Sequence, residues 1–572
     1  MRVDVPISVQ GFHLDAVSAA YKHNLEVLAQ TRAVSRLWQR DLSLWPTYGK
    51  RKSAEQLNWL DLPSQLEPAV AQVSHLTAKL SDVGIQDVVF LSVSSSSLAA
   101  ELIPALELPT RGVRFHVVSR LEPSGLRSLE RSLDFARTLF IVASKSGKNL
   151  EVHALLLYFL AKVKAAGIGS PGANFVAVTE DGSYLASVAI ENRFQTVVSE
   201  PRGFIGRFSG VQQYGLLLAG LCELGLQQIL RGIDSVRGEC VRQEPIEQNP
   251  AAKLGAFLAA LAQSGFQRLL FQAPPNLTPF ILRIAHLVGC SSCKDGKGIL
   301  PFVDRTIPDS QILKNSFAVC DFTWQRGAPV APLPPDVPSV SFDLANAESI
   351  PGEIFKWEIA VSLACSLLGV NPFEDPDHSD ARNAAMNYIG EISSQKKSEA
   401  PRPRIVEGSL SLFVEGDLRH AVSSISLEHA LASFLALCAP DGYFAFLNFL
   451  WDIPEVAESL ASIIAHVSAG LGVPTHLAPG PSYLHLLGQC YKGGPRGGIA
   501  LMLTGDSVER INLPGAGYTL GDLRLALALG DMDAMVARGR PIVRLHLAAA
   551  PETSLAELES VLLKALTHRK TR

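Results

Sequence analysis

The sequence predicts an α/β protein with an N-terminal helical segment, two tandem doubly wound parallel-sheet domains and a smaller C-terminal α/β domain. Three observations predict it. Short continuous apolar runs such as Val88-Val89-Phe90-Leu91 are bounded by polar residues, as in strands buried on both faces. Longer helical stretches follow these runs and stop at Gly, and the cycle occurs twice in the first two thirds of the chain. Finally, 572 residues that are 47% hydrophobic and only 19% charged can fill several large cores.

Taken in order, residues 1–75 read as helical, with Val27, Val34 and Trp38 on one face and further tryptophans at 45 and 59 around a Pro46-Thr47-Tyr48-Gly49 break. This pattern predicts a segment that wraps the next domain. The first doubly wound domain spans 76–235. Within it Leu139-Phe140-Ile141-Val142-Ala143 is followed by a loop, a helix from about 148 to 166 ending at Gly167, and the strand Phe175-Val176-Ala177-Val178. A strand, a helix and a second strand in this order imply parallel pairing.

The second doubly wound domain spans 236–395, with a helix over 252–263, a strand over 268–271 and a helix over 277–288. Residues 396–404 read as a linker carrying Lys396, Lys397, Pro401 and Pro403. The last domain, 405–572, has strands at 410–414, 443–449, 499–503 and 542–547 and helices near 427–438, 454–470 and 519–537.

Composition excludes several classes of function. Fifty-one Lys and Arg against 55 Asp and Glu leave a formal charge of -4, too balanced for a polyanion-coating protein, so no nucleic-acid partner is expected. The first residues, Met-Arg-Val-Asp-Val-Pro, hold no apolar signal region, and the apolar runs are broken well short of a membrane span. The expectation is a cytoplasmic protein with no membrane partner, and its eight sparse cysteines fit a reducing compartment. Cys290-Ser291-Ser292-Cys293, four residues after His286, lacks the second ligand pair of a zinc site. No metal and no cofactor are expected, and these thiols read as small hydrophobes at a helix end.

The most informative segment is Ala143-Ser144-Lys145-Ser146-Gly147-Lys148-Asn149-Leu150-Glu151, a hydroxyl-rich loop between a strand and a helix. Two readings are open. The loop can cradle a phosphate, because the helix start offers N–H groups and the positive end of its dipole. Alternatively Ser144 or Ser146 simply caps the helix.

Ser144-Lys145-Ser146-Gly147-x-x-x-Glu151 resembles the phosphate loop of the phosphoglucose isomerase family, and further matches follow in order. Phe204-Ile205-Gly206-Arg207-Phe208-Ser209 is similar to its Gly-Gly-Arg-Phe-Ser signature, Lys294-Asp295-Gly296-Lys297-Gly298-Ile299 to the loop after its catalytic glutamate, and Asn371-Pro372-Phe373 to the opening of its last active-site segment. The pattern is closest to the isomerase half of bacterial transaldolase/phosphoglucose isomerase fusion proteins. Arg36-Leu37-Trp38 and Trp59-Leu60-Asp61-Leu62 resemble that half at the N-terminal end, and Gly480-Pro481, Leu484-His485, Gly488-Gln489 and Lys492-Gly493-Gly494-Pro495 resemble it near the C-terminal end.

The resemblance implies two sugar-isomerase-type domains and an aldose-ketose isomerase acting on a phosphorylated hexose. That reaction needs a phosphate anchor, a ring-opening acid, a base between C1 and C2 and a cation near the enediolate. By resemblance Arg207 supplies the cation, while Ser144, Ser146, Lys148 and Asn149 bind phosphate, with Lys148-Asn149 replacing the usual Thr-Thr pair. The Gly-rich turn after the first strand, where backbone usually approaches substrate, is here a serine run whose Ser96 and Ser97 are by resemblance candidate substrate-binding residues. The catalytic glutamate falls on Cys290, the family's Gln on Asp375 and its ring-opening Lys on Arg382, a residue that does not deprotonate. The sequence holds no histidine between His286 and His378, so those two are the candidates for a substitute acid or base. These departures leave two expectations standing, an isomerase or an inactive sugar-phosphate-binding sensor or scaffold that could partner a transaldolase. A homodimer is compatible with either.

Overall fold

The computed structural model describes residues 14–48, 53–82, 84–110, 112–203, 205–208, 213–303, 317–327, 337–376, 378–394, 402–422, 425–451, 453–506, 510–548 and 550–570. Most of the expected linker, together with Phe204 and Ser209 of the arginine segment, lies outside them. The chain forms two compact units that do not follow it in one pass. One holds residues up to 119 and 131–374, and the other holds 120–130 and 375–572.

The first unit is built on two parallel sheets. The first contains β1 (Asp87–Leu91), β2 (Arg114–Val118), β3 (Thr138–Ala143), β4 (Phe175–Glu180) and β5 (Thr196–Glu200) in the order β2-β1-β3-β4-β5. All its pairings are parallel, and every residue of β1 and β3 is buried, which is why both read as unbroken apolar runs. The second sheet, also parallel, contains β6 (Arg268–Gln272), β7 (Leu300–Val303), β8 (Phe317–Trp324) and β9 (Ser339–Leu344) in the order β7-β6-β8-β9. No strand is expected from the sequence at β2, β5 or β7–β9. Strand β2, for example, lies at the sheet edge with an exposed Arg114 and a half-buried centre.

Within 14–82, the described residues of the N-terminal segment pack into this unit. Helices Leu14–Gln30, Ala33–Trp38 and Leu62–Asp82 place Leu28, Val34 and Val73 in the same core as both sheets, joined there by Trp45 and Trp59 from the connections between them. The Trp45 indole donates to Ser362 O at 2.9 Å and packs edge-on against Phe373, while Trp59 lies against Phe208.

The second unit has one six-stranded sheet of β10 (Ile405–Glu407), β11 (Leu410–Val414), β12 (Phe444–Phe449), β13 (Thr475–Pro479), β14 (Ile499–Gly505) and β15 (Ile542–Leu547), ordered β10-β11-β15-β14-β12-β13. Its parallel core is bordered by antiparallel β11 and β10. Helix His378–Ser393 packs closely on helix Leu520–Ala537, where a Cβ on Gly530 would sit 2.5 Å from Ala381 O. Among the described residues no helix is long and apolar enough to cross a membrane.

Candidate functional site

In the first sheet the chain order reverses direction between β1 and β3, and the loops leaving their carboxyl ends open the crevice where such sheets bind ligands. After β3 comes the Ser144–Asn149 loop. Gly147 has φ +68, and a Cβ there would lie 2.3 Å from the backbone nitrogen of Leu185, so the loop requires glycine at this point. Ser146 and Lys148 are exposed on the loop, whereas Ser144 is buried. Neither serine caps the following helix, Leu150–Ala165. Asn149 is its N-cap residue and makes no side-chain cap, because its Oδ1 accepts from Ser144 Oγ at 2.8 Å.

After β1 comes the serine run. Ser92 Oγ donates to Ala143 O at 2.8 Å, joining this turn to the start of the 144–149 loop. Ser94 adopts φ 67 and ψ −142, a backbone conformation that glycine takes freely and serine does not. The turn has therefore kept a glycine geometry without the glycine. Ser96 Oγ donates to Val93 O, and Ser97 Oγ donates to Ser94 O, so both hydroxyls stabilise the turn itself.

The second sheet contributes helix Thr278–Ser292, which runs four residues beyond the expected end at 288 and so carries Cys290 in its last turn. Cys290 is 5% exposed. The fully buried Lys294 folds back onto this helix end and donates from Nζ to the carbonyls of Cys290 and Ser291, at 2.6 and 2.7 Å. A lysine at a helix C-terminus meets both free carbonyls and the negative end of the dipole. Gly298 at φ +108 returns the chain, and a Cβ there would lie 2.4 Å from Ser292 O.

Arg207 docks on the same helix end. Its Nε donates to Ser291 Oγ at 3.0 Å, a terminal nitrogen donates to Pro372 O, and the residue is 3% exposed. One turn back from Cys290, His286 Nδ1 lies 3.0 Å from Ser95 Oγ, linking the second sheet's helix to the serine turn of the first. Direct contacts thus tie the serine turn to His286 and Arg207 to Ser291 on one helix, which also carries Cys290. Asp375 and Arg382 belong to the other unit, where Arg382 lies half-buried on helix His378–Ser393. The side chain of His378 lies outside the described residues.

Two residues beside the 144–149 loop, Glu180 and Glu200, drew no attention in the sequence. Glu180 and Glu200 are register partners at the ends of β4 and β5, and Lys145 Nζ lies 3.4 Å from Glu180. Burial pushes the Glu200 carboxyl up to about 7, although it accepts from the backbone N–H groups of Tyr214 and Gln213, and burial lowers Lys145 to about 8. A glutamate closing an apolar strand looks like ordinary surface polarity in the sequence, and only the strand register brings the two together.

Known proteins resemble the chain in sequence. The chain is 27% identical over 234 residues to the glucose-6-phosphate isomerase of Thermosynechococcus vestitus, covering 39% of this chain and 42% of that protein. With the Thermus thermophilus enzyme of the same name it is 30% identical over 178 residues, or 31% and 41% of the two chains. With that of Synechococcus elongatus it is 24% identical over 421 residues, or 64% and 77%. By these alignments the chain is similar in sequence to glucose-6-phosphate isomerases. Its fold agrees with a crystal structure of a glucose-6-phosphate isomerase from Chlamydia trachomatis, with a TM-score of 0.50 at 16% identity over 64% of this chain and 79% of that one. No family model matches the chain. Its alignments with the Thermosynechococcus and Thermus proteins span less than half of those proteins' length.

All eight cysteines are buried thiols, and among the described residues no three His, Cys, Asp or Glu side chains are grouped as a metal site would require.

Proposed function

We propose that the chain binds hexose 6-phosphates at the carboxyl ends of β1 and β3 and interconverts glucose 6-phosphate and fructose 6-phosphate. The observation that carries this reading is the loop 144–149, with Ser146 and Lys148 exposed around a left-handed Gly147 at the start of a helix whose N-cap is unused. Ser144, Asn149, Ser96 and Ser97 shape the anchor and the turn beside it. Arg207 is the cation for enediolate charge, since a guanidinium stays protonated throughout. Cys290, Asp375 and Arg382 stand, by the family resemblance, where the base, the glutamine and the ring-opening lysine belong. The names of the relatives support the substrate class.

A second reading, an inactive sugar-phosphate sensor or scaffold, is favoured by Cys290. Its side chain is shorter than glutamate and buried at a lysine-capped helix end. Two measurements on purified protein separate the readings. Thermal shift with millimolar 6-phosphogluconate and fructose 6-phosphate tests binding, because a ligand of the native state raises apparent stability by mass action. A coupled assay of fructose 6-phosphate turnover tests catalysis. A shift with turnover supports the isomerase, a shift alone supports the sensor, and no shift with either ligand removes both.

A further inference from the structure

We propose that His286, oriented by Ser95, is the group that carries the proton between C1 and C2 in this chain. The inference rests on the isomerase reading above and assigns its missing base. His286 and Cys290 are separated by four residues on helix Thr278–Ser292, so they lie on one face, about 6 Å apart at Cβ. A base displaced by one turn along that face lies at the carboxyl end of β1, because His286 Nδ1 contacts Ser95, the first residue of the helix that follows the turn after β1. Ser95 is 4% exposed and His286 5%. When Ser95 Oγ accepts from Nδ1–H, the ring is fixed in the tautomer whose Nε2 carries the lone pair. Ser95 is thus a positioning residue, and Nε2 is the base.

The step balances without a co-reactant. Nε2 takes the C2 hydrogen of the open-chain aldose as a proton, and the C–H electron pair becomes the C1=C2 double bond of an enediolate. Negative charge gathers on O1, for which Arg207 is the cation held at the adjacent helix end. Nε2–H then returns the proton to C1, while the O2 proton passes to O1, leaving the ketose. The thiol at 290 takes no part in either transfer.

The test compares wild type with His286→Gln and Ser95→Ala in two assays, fructose 6-phosphate turnover with solvent-deuterium incorporation at C1 and C2, and binding of 6-phosphogluconate by calorimetry. The expected result is a fall of about 100-fold or more in kcat for His286→Gln with the 6-phosphogluconate Kd within about threefold. That fall should exceed the one caused by Cys290→Ala by at least about tenfold. Ser95→Ala should lower kcat by about tenfold at unchanged KM, and Ser95→Thr should restore it, a split that general loosening of the fold would not produce. If His286→Gln fails to fold, the Ser95 pair decides the question, and unchanged kcat in Ser95→Ala then overturns the proposal. Wild-type turnover that survives in folded His286→Gln overturns it directly. Wild type that binds 6-phosphogluconate but neither turns over nor exchanges fructose 6-phosphate overturns the role of His286 and leaves the binding reading intact. Wild type that does neither removes both.

Discussion

Arg207 Nε donates to Ser291 Oγ at 3.0 Å, which fixes the guanidinium against the residue that follows Cys290. Because the same guanidinium also donates to Pro372 O, its position is defined by two separate chain segments before any ligand arrives. A lysine cannot make two directed contacts of this kind with one planar group. Arg207→Lys should weaken fructose 6-phosphate binding by roughly 1 to 3 kcal/mol, the scale of a lost hydrogen bond to a charged group. Calorimetric titration checks this. An unchanged Kd with a lowered melting temperature would reduce Arg207 to a structural tie.

The backbone of Ser94 makes a prediction that needs no ligand. At φ 67 and ψ −142 a Cβ is strained, and a residue held in such a region costs on the order of 1 to 3 kcal/mol. Ser94→Gly should therefore stabilise the protein by about 1 kcal/mol after allowing for glycine's larger unfolded-state entropy. Ser94→Val should destabilise it. Urea denaturation of both variants measures the difference, and equal midpoints would contradict the strain.

Glu200 and Lys145 together shape stability against pH. The Glu200 carboxyl is raised from 4.5 to about 7 in the folded state, so between those values the native form binds more protons than the unfolded chain and stability falls as pH rises. Lys145 is lowered from 10.5 to about 8, so between 8 and 10.5 the unfolded chain binds more protons and stability rises with pH. The pair thus contributes a trough near pH 7 to 8. Glu200→Gln should remove the falling limb, stabilising by about 3 kcal/mol at most at pH 8 and little at pH 4. Thermal melts across that range provide the test, and an equal effect of the variant at both pH values would refute the assignment.

In the second unit, Lys492 and Asp531 form an ion pair with side chains 1% and 0% exposed, and Tyr483 OH also donates to Asp531. Removing one partner leaves a buried charge without its counter-ion. Lys492→Met should cost about 3 to 5 kcal/mol in chemical denaturation, and adding Asp531→Leu should recover much of it. A harmless single substitution would show that the pair matters little.

Restoring a carboxylate tests the resemblance itself. Cys290→Glu places an acid beside the Lys294 ammonium and close to Arg207, and general-base catalysis typically contributes about 10²- to 10⁴-fold. Turnover of fructose 6-phosphate should rise at least severalfold above wild type. A folded Cys290→Glu variant with unchanged or lower turnover counts against the alignment that puts the family's glutamate at 290.

The sequence by itself determined the central strands, the loop 144–149 and the glycines that shape it. Val88–Leu91 and Leu139–Ala143 are buried on both faces, so their composition reports their environment directly. Edge strand β2 and mixed β9 were not legible, because one face is partly solvated and the apolar run is broken. Tertiary structure alone decided what the polar residues do. Ser95 and His286 are 191 positions apart, as the 84 between Arg207 and Ser291 also separate partners that no local pattern links. Glu180 and Glu200 become neighbours only through the register of β4 and β5. Local composition fixes where a strand is buried, whereas the partner of a buried hydroxyl or carboxylate depends on how distant segments pack, and that information is not periodic in the chain.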